Sequence, residues 1–269
     1  PGGEKIGEDF CSGQLDSLLK QGNIQGAVHA AANSPGGVLR TASTIQKFKS
    51  IQPLPNTPPP LLQYFGQLLE KKVAGPDGSM QPGKLNPLES VELARLVLSQ
   101  GEGQLLQQWL ADNRLEASEE LGDLLRQLQS PETYKLALKI YLDCKAHDKG
   151  INCFLDLGMI PQILVYCKRV NYNPDWTPIL TSVLMRNPDM AQQLAVSLFS
   201  NDGAQPLCDP QAVCELFFSR NLIQQGTAFA LESLKSNQPQ FAALQTKVLE
   251  MNLRNPAGLQ VADAIIQNA

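Results

Sequence analysis

Basic residues are few and scattered in this 269-residue chain. Twenty-two Lys and Arg stand against 26 Asp and Glu, for a net charge of −4. The densest basic spots, Lys47-Phe48-Lys49, Lys71-Lys72 and Lys168-Arg169, form no stripe. Nucleic-acid binding and a polybasic membrane anchor therefore have no electrostatic basis. No signal-peptide pattern and no run of eighteen apolar residues occurs, so no direct membrane insertion is expected. Aromatics are only 6% of the chain, although 43% is hydrophobic, mainly Leu, Ala, Ile and Val. That balance suits helices packed through small and γ-branched side chains. The six cysteines (Cys11, Cys144, Cys153, Cys167, Cys208, Cys214) show no CxxC spacing, and the two histidines, His29 and His147, are isolated. A zinc site needs such residues clustered. The cysteines read as small core hydrophobes in a reducing compartment. The lack of an Asn-x-Ser/Thr acceptor fits a chain that never meets the secretory pathway.

What the chain does have is a weak self-similarity. Gln21-Gly22-Asn23-Ile24-Gln25, Leu157-Gly158-Met159-Ile160-Pro161 and Arg220-Asn221-Leu222-Ile223-Gln224 are three versions of one phrase. A short helix closes on Gly or Asn, and an Ile enters the next helix. Apolar spacing is helical almost throughout. Phe10, Leu15, Leu18 and Leu19 make one predicted face; Ile24, Val28 and Ala31 make the next. Gln52–Pro60 carries five prolines and must be extended, as a crossing between helical units. A helix follows over Leu61–Lys72. Gly and Pro make Val73–Asn86 a mobile surface loop by composition. Asn86-Pro87-Leu88-Glu89 reopens a helix by a capping box. Leu121, Leu124, Leu125 and Leu128 form a stripe within a helix over Ser118–Gln129. Later helices are predicted near Lys149–Leu157, Ile160–Val170, Pro174–Met185, Pro188–Ser200, Pro210–Ser219, Leu222–Ser236, Pro239–Met251 and Pro256–Gln267. The prolines at 174, 188, 210, 239 and 256 are placed just inside helix starts. No alternating run is long enough for a confident strand. The predicted fold class is all-α, an α-solenoid of short stacked helical hairpins.

No catalytic, cofactor-binding or metal site is assigned, and no cofactor is expected. Gly78-Ser79-Met80-Gln81-Pro82-Gly83-Lys84-Leu85 matches the first seven positions of a phosphate-binding loop. The eighth must be Ser or Thr, and Leu85 stands there. Pro82 also removes an amide donor, and a helix ending in Lys71-Lys72 is predicted where such a loop needs a strand. The acidic pairs Glu8-Asp9 and Glu119-Glu120 lie near predicted helix starts, where the dipole favours them. Neither implies convergence on a pocket. Trp109 and Trp176 read as knobs between stacked helices, with partner anchoring as the other reading.

With the helical reading in place, the chain resembles the clathrin heavy chain family. Gly37-Val38-Leu39-Arg40-Thr41 and Pro60-Leu61-Leu62-Gln63-Tyr64-Phe65-Gly66 are similar to the helical linker after that family's N-terminal propeller. Leu88-Glu89-Ser90-Val91-Glu92-Leu93 and Ser118-Glu119-Glu120-Leu121-Gly122-Asp123-Leu124 resemble the start of its distal leg. Pro174-Asp175-Trp176, Asn221-Leu222-Ile223-Gln224-Gln225, Thr227-Ala228-Phe229, Leu249-Glu250-Met251-Asn252-Leu253 and Val261-Ala262-Asp263-Ala264-Ile265 continue it in order. Departures fall at Lys71–Lys84 and Asn255–Gln260, which are longer than the family's turns, and in the first ten residues, which match little.

The resemblance implies a clathrin heavy-chain-repeat-like superhelix, with residues 1–86 as linker and 87–269 as the start of the distal leg. It implies a non-enzymatic strut of a polyhedral vesicle coat, serving vesicle-mediated transport and endocytosis on the cytoplasmic face of coated pits and vesicles. The implied partners are other clathrin heavy chains, through leg–leg contacts; light-chain and adaptor sites are expected outside this segment. The alternative is an α-solenoid adaptor that grips a peptide or protein in a groove. Val261, Ala264, Ile265 and Ile266 form an apolar face with no later helix to cover it. A solenoid terminus normally has a polar cap, so the chain is expected to be an excerpt of a longer polypeptide.

Overall fold

The structure, a computed structural model, describes residues 2–53, 55, 57–74, 79–201, 205–233, 239–254 and 258–267. It comprises two compact units, residues 1–150 and residues 151–269. The described residues are 73% helical. In the first unit lie α1 (Gly2–Lys20), α2 (Ile24–Ala32), α3 (Ala42–Lys49), α4 (Pro60–Glu70), α5 (Pro87–Ser99), α6 (Gly103–Ala111), α7 (Glu119–Arg126) and α8 (Pro131–Asp143). The unit boundary falls within α9 (His147–Asp156). The second unit continues through α10 (Ile160–Val170), α11 (Trp176–Arg186), α12 (Pro188–Ser200), α13 (Pro210–Phe218), α14 (Ile223–Ser233), α15 (Ala242–Leu253) and α16 (Leu259–Gln267).

A repeated joint turns one helix into the next. Gly22, Gly101, Asn113, Lys145, Gly158, Asn171 and Asn221 all have positive φ, between 53° and 77°. Each makes the same paired closure. At Gly158, the N–H reaches Leu155 O at 3.1 Å and Met159 N–H reaches Phe154 O at 2.9 Å. At Asn221 the matching bonds run to Phe218 O and, from Leu222, to Phe217 O, both 3.0 Å. This is the Schellman closure, which satisfies carbonyls that a helix end would leave orphaned. The three sequence phrases are thus three of seven such joints among the described residues. Gly101, Asn113, Lys145 and Asn171 do the same work without the following Ile.

Helix starts are equally regular. Asn86, Ser118, Ser130, Asp175, Asn187 and Asp209 each accept a first-turn amide with the side chain. Pro60, Pro87, Pro131, Pro188 and Pro210 open their helices as the proline preference requires. Pro174 does not: Asp175 caps through Thr177 N–H, and the helix starts at Trp176. Pro239 opens a 3₁₀ turn over Pro239–Phe241 that leads into α15, and Pro256 lies outside the described residues.

Within each unit the main contacts join helices one or two apart in order: α1 with α2, α2 with α4, α5 with α6 and α7, and α7 with α8. In the second unit α12 meets α10, α11 and α14, and α14 meets α13 and α15. That nearest-neighbour pattern defines the α-solenoid class. Small residues allow the closest approaches. A Cβ on Gly122 of α7 would sit 2.4 Å from Tyr141 Cε1 of α8, and one on Gly226 of α14 would sit 2.7 Å from Phe218 Cε1. The first unit's core centres on Phe48, Tyr64 and Phe65, with ring centroids 5.2 and 5.6 Å apart in sequence.

Three expectations need correction. Phe10 is 73% exposed, while Leu15 beside it is fully buried. The α7 stripe is narrower than predicted: Leu121 and Leu125 are buried, but Leu128 is 46% exposed because the helix has ended at Arg126. The 73–86 segment is not a plain mobile loop. β1 (Lys72–Ala74) and β2 (Met80–Pro82) pair antiparallel, Val73 opposite Gln81. Its C-terminal part is anchored, since Gly83 packs so closely on Leu68 O that no Cβ fits and Leu85 is fully buried.

Lys145 is the one long charged side chain at a Schellman joint. Lys145→Gly removes the left-handed penalty and is expected to stabilise the chain by about 1 kcal/mol. Gly158→Ala introduces that penalty and should cost about 1 kcal/mol. Urea unfolding followed by circular dichroism measures both, and equal midpoints for the two variants would refute the role given to the joint.

Candidate functional site

The most highly built cluster in the chain is a buried polar joint. Glu89, at the third position of α5, is fully buried. Its Oε1 accepts from Arg40 Nε at 3.0 Å and from Tyr64 Oη at 3.2 Å. Its Oε2 accepts from Arg40 Nη2 at 2.5 Å and from Asn86 N–H at 3.0 Å. Arg40 Nη2 also donates to Lys84 O at 2.9 Å, and Asn86 Nδ2 donates to Arg40 O at 3.3 Å. The carboxylate thus ties together the turn before α3, the middle of α4 and the start of α5. Charge-assisted, forked bonding is what makes such a burial tolerable. The hydrogen bond and charge of Glu89 push the Arg40 guanidinium above its usual value. Burial first, and the Glu89 charge next, push the Tyr64 phenol well above the ordinary tyrosine range.

The capping box at Asn86 and Glu89 was legible in sequence, and the structure contains it. Sequence reasoning missed that Arg40, 49 residues earlier, and Tyr64 meet the same carboxylate. A second arginine strengthens the region. Arg114 Nε donates to Gly83 O at 3.0 Å and Nη2 donates to Leu69 O, closing the end of α4. Leu85 N–H reaches Arg114 O at 2.9 Å, and Ser90 Oγ accepts Glu116 N–H at 2.9 Å.

A third polar group lies on α7 and α8. Asp123 accepts from Tyr141 Oη at 2.6 Å and Lys149 Nζ at 2.7 Å, while Glu119 pairs with Lys149 at 3.0 Å. Burial raises the Asp123 pKa, but the Lys149 and Tyr141 hydrogen bonds outweigh it and hold the carboxyl below its usual range. Hydrogen bonds that Lys149 donates to Asp123 and Glu119 raise its own pKa. Glu119 is therefore an ion-pair partner as well as a first-turn residue. In the second unit Asn252, buried on α15, donates to Thr227 Oγ1 at 2.7 Å and Val248 O at 2.8 Å. Arg186 donates to Asp156 at 3.1 Å and to Leu155 O.

The other singled-out residues fall as follows. Trp176 is 5% exposed and its Nε1 donates to Asn173 at 2.9 Å. Trp109 is half-buried. Asp9 is exposed, and the Glu8 side chain lies outside the described ones. None of the six cysteines forms a disulfide. Burial pushes Cys208 up to about 11 and Cys214 up to about 12, so neither is an activated nucleophile. No group of three or more His, Cys, Asp or Glu suited to a metal occurs among the described residues. No described helix is long and apolar enough to cross a membrane. In the phosphate-loop look-alike, Gly78 lies outside the described residues. What precedes it is strand β1, not the helix expected, but this strand is short and its Lys72 and Val73 are exposed where a phosphate loop needs a buried strand. Gly83 has no room beside Leu68 O, and Lys84 Nζ donates to Asn113 Oδ1 at 3.1 Å. These positions close a joint and form no phosphate cradle. At the C-terminal end, Val261 is half-buried and Ile266 is 57% exposed; the side chains of Ala264 and Ile265 lie outside the described ones.

Buried joints between short helices that pack on their nearest neighbours define a helical-repeat fold. Residues 5–68 match the family model Clathrin-H-link, a match that reaches into the first ten residues. The chain is 44% identical over 259 residues to a clathrin heavy chain of Dictyostelium discoideum, covering 96% of this chain and 14% of that protein. It is 42% identical over 263 residues to the clathrin heavy chain of Drosophila melanogaster, 97% of this chain and 14% of that one. Clathrin heavy chain 2 of Homo sapiens is 41% identical over 255 residues, 95% of this chain and 14% of the human protein. The chain belongs to the clathrin heavy chain family and spans about a seventh of the length of the curated relatives it matches.

Two outcomes follow for the buried joint. Arg40→Ala strands the Glu89 carboxylate and should cost about 3 kcal/mol, the lower end for a broken buried pair, because Arg40 is 28% exposed. Glu89→Gln keeps the cap and leaves Arg40 free to turn to water, so about 1–2 kcal/mol is expected; urea midpoints rank the two. The Tyr64 phenol titrates higher in the folded state than its unfolded value of about 10. Its contribution is therefore fully present below that pH and lost as pH rises above it. Tyr64→Phe should lower stability at pH 8 and show a shallower fall between pH 9 and 11 than the parent.

Proposed function

We propose that this chain is a strut segment of a clathrin-type vesicle coat. Residues 1–86 serve as the helical linker and residues 87–269 as the start of the distal leg. The observation that carries this reading is the continuous 40–44% identity to clathrin heavy chains over at least 95% of the chain. The Clathrin-H-link match at residues 5–68 supports the linker part. The physical requirement of a strut is stiffness summed from neighbour interfaces, and nearest-neighbour helix packing with locked joints supplies it. The segment has no catalytic task. Its partners are other clathrin heavy chains through leg–leg contacts, individually weak and strengthened by multiplicity. Light-chain and adaptor sites lie elsewhere in the whole protein, and the coat sits on the cytoplasmic face of pits and vesicles.

A segment exchange tests this. The matching seventh of the Dictyostelium discoideum heavy chain is replaced by this chain, and assembly of the purified hybrid is viewed by electron microscopy. Closed polyhedral coats are expected. A hybrid that is folded by circular dichroism yet forms no coats would overturn the assignment.

A further inference from the structure

Two grooves on the second unit differ in charge. One, about 360 Å³ along α10 and α12, is bordered by Lys168 and, among the described residues, by no carboxylate. The other, about 240 Å³, opens between the starts of α11 and α13, bordered by Asp175 and Asp209 and, among the described residues, by no cation. The second specifies a guest. Its walls are Trp176, Leu180, Val213 and Leu216, the first three at most 5% exposed. Asp175 accepts Thr177 N–H at 3.0 Å; Asp209 accepts Gln211 and Ala212 N–H at 3.4 and 3.1 Å. These bonds take up the amides that make a bare helix start attractive to an anion. Each carboxylate keeps further lone pairs. Both residues are exposed, and neither is paired with a cation among the described residues. The groove is thus apolar inside and anionic at both borders.

We propose that this groove docks a short extended segment of a partner protein, in which a leucine-like side chain fills the pocket and flanking Lys or Arg meets Asp175 and Asp209. Charge complementarity excludes an acidic segment, and the narrow volume admits a side chain or two, not a helix face. The inference does not depend on the coat reading.

Dye-labelled peptides with a Leu-Leu core flanked by Arg-Lys on one side and Lys-Arg on the other test it by fluorescence anisotropy. Controls carry Glu flanks or a Ser-Ser core. The basic leucine peptide should bind at least about tenfold tighter than either control. Asp175→Asn with Asp209→Asn keeps both caps, because Asn caps a helix as well as Asp does. That double variant should keep its urea midpoint and lose about tenfold in affinity for the basic peptide. Equal binding of basic and acidic peptides, no binding of any of the three, or unchanged affinity in the double variant would overturn the proposal. So would sedimentation showing self-association that the double variant abolishes, since the occupant would then be a second copy of this chain.

Discussion

A helix in this chain runs for a dozen residues and must then reverse within two or three, and a left-handed residue at its end is what permits the reversal. The Schellman closure satisfies the last carbonyls without side-chain help, so the joint can be short. Short joints force consecutive helices to be neighbours. Neighbouring helices bury their apolar stripes on one another, and the core becomes a series of local interfaces. Everything else rests on that geometry: the small residues at Gly122 and Gly226 and the alternating partners of α12. A residue that strains the left-handed position, as Lys145 does, acts on one joint and leaves the next interface intact.

Local interfaces stiffen when polar groups cross between them. Glu89 does this most fully, because one carboxylate receives donors from Arg40, Tyr64 and Asn86. Its burial would be costly alone, and the forked arginine makes it a fixed point for three segments. Arg114 does a similar task on carbonyls, capping α4 while holding Gly83 beside it. Together they explain why the segment after α4 carries a strand pair and then a buried Leu85, when its Gly and Pro content suggested a free loop. Composition reports how permissive a backbone is. It does not report what packs on it.

The same distinction explains the grooves. Asp175 and Asp209 are present for a local reason, the capping of α11 and α13. Their position on two borders of one apolar groove is a consequence of how α11 and α13 are brought together. A capping residue can therefore acquire a second role with no change in its first.

By itself the sequence determined the all-α class, most helix limits and the family. These depend on contacts within a few residues of one another: apolar spacing, Asn, Asp and Ser caps, proline at first turns, Gly or Asn at the joints. Ile160–Val170 and Pro188–Ser200 are observed as predicted. The joint at Lys145 was not legible because Lys occupies the left-handed region far less often than Gly or Asn, so it carries a weak signal. Only the tertiary structure decided which side chains meet. Arg40 and Glu89 are far apart in the chain, and nothing local pairs them. Phe10 shows the converse: a correct helical period does not say which positions have a neighbour to cover them. Long-range pairing and coverage depend on how separate helices are juxtaposed, and that information lies in packing and not in any one window of residues.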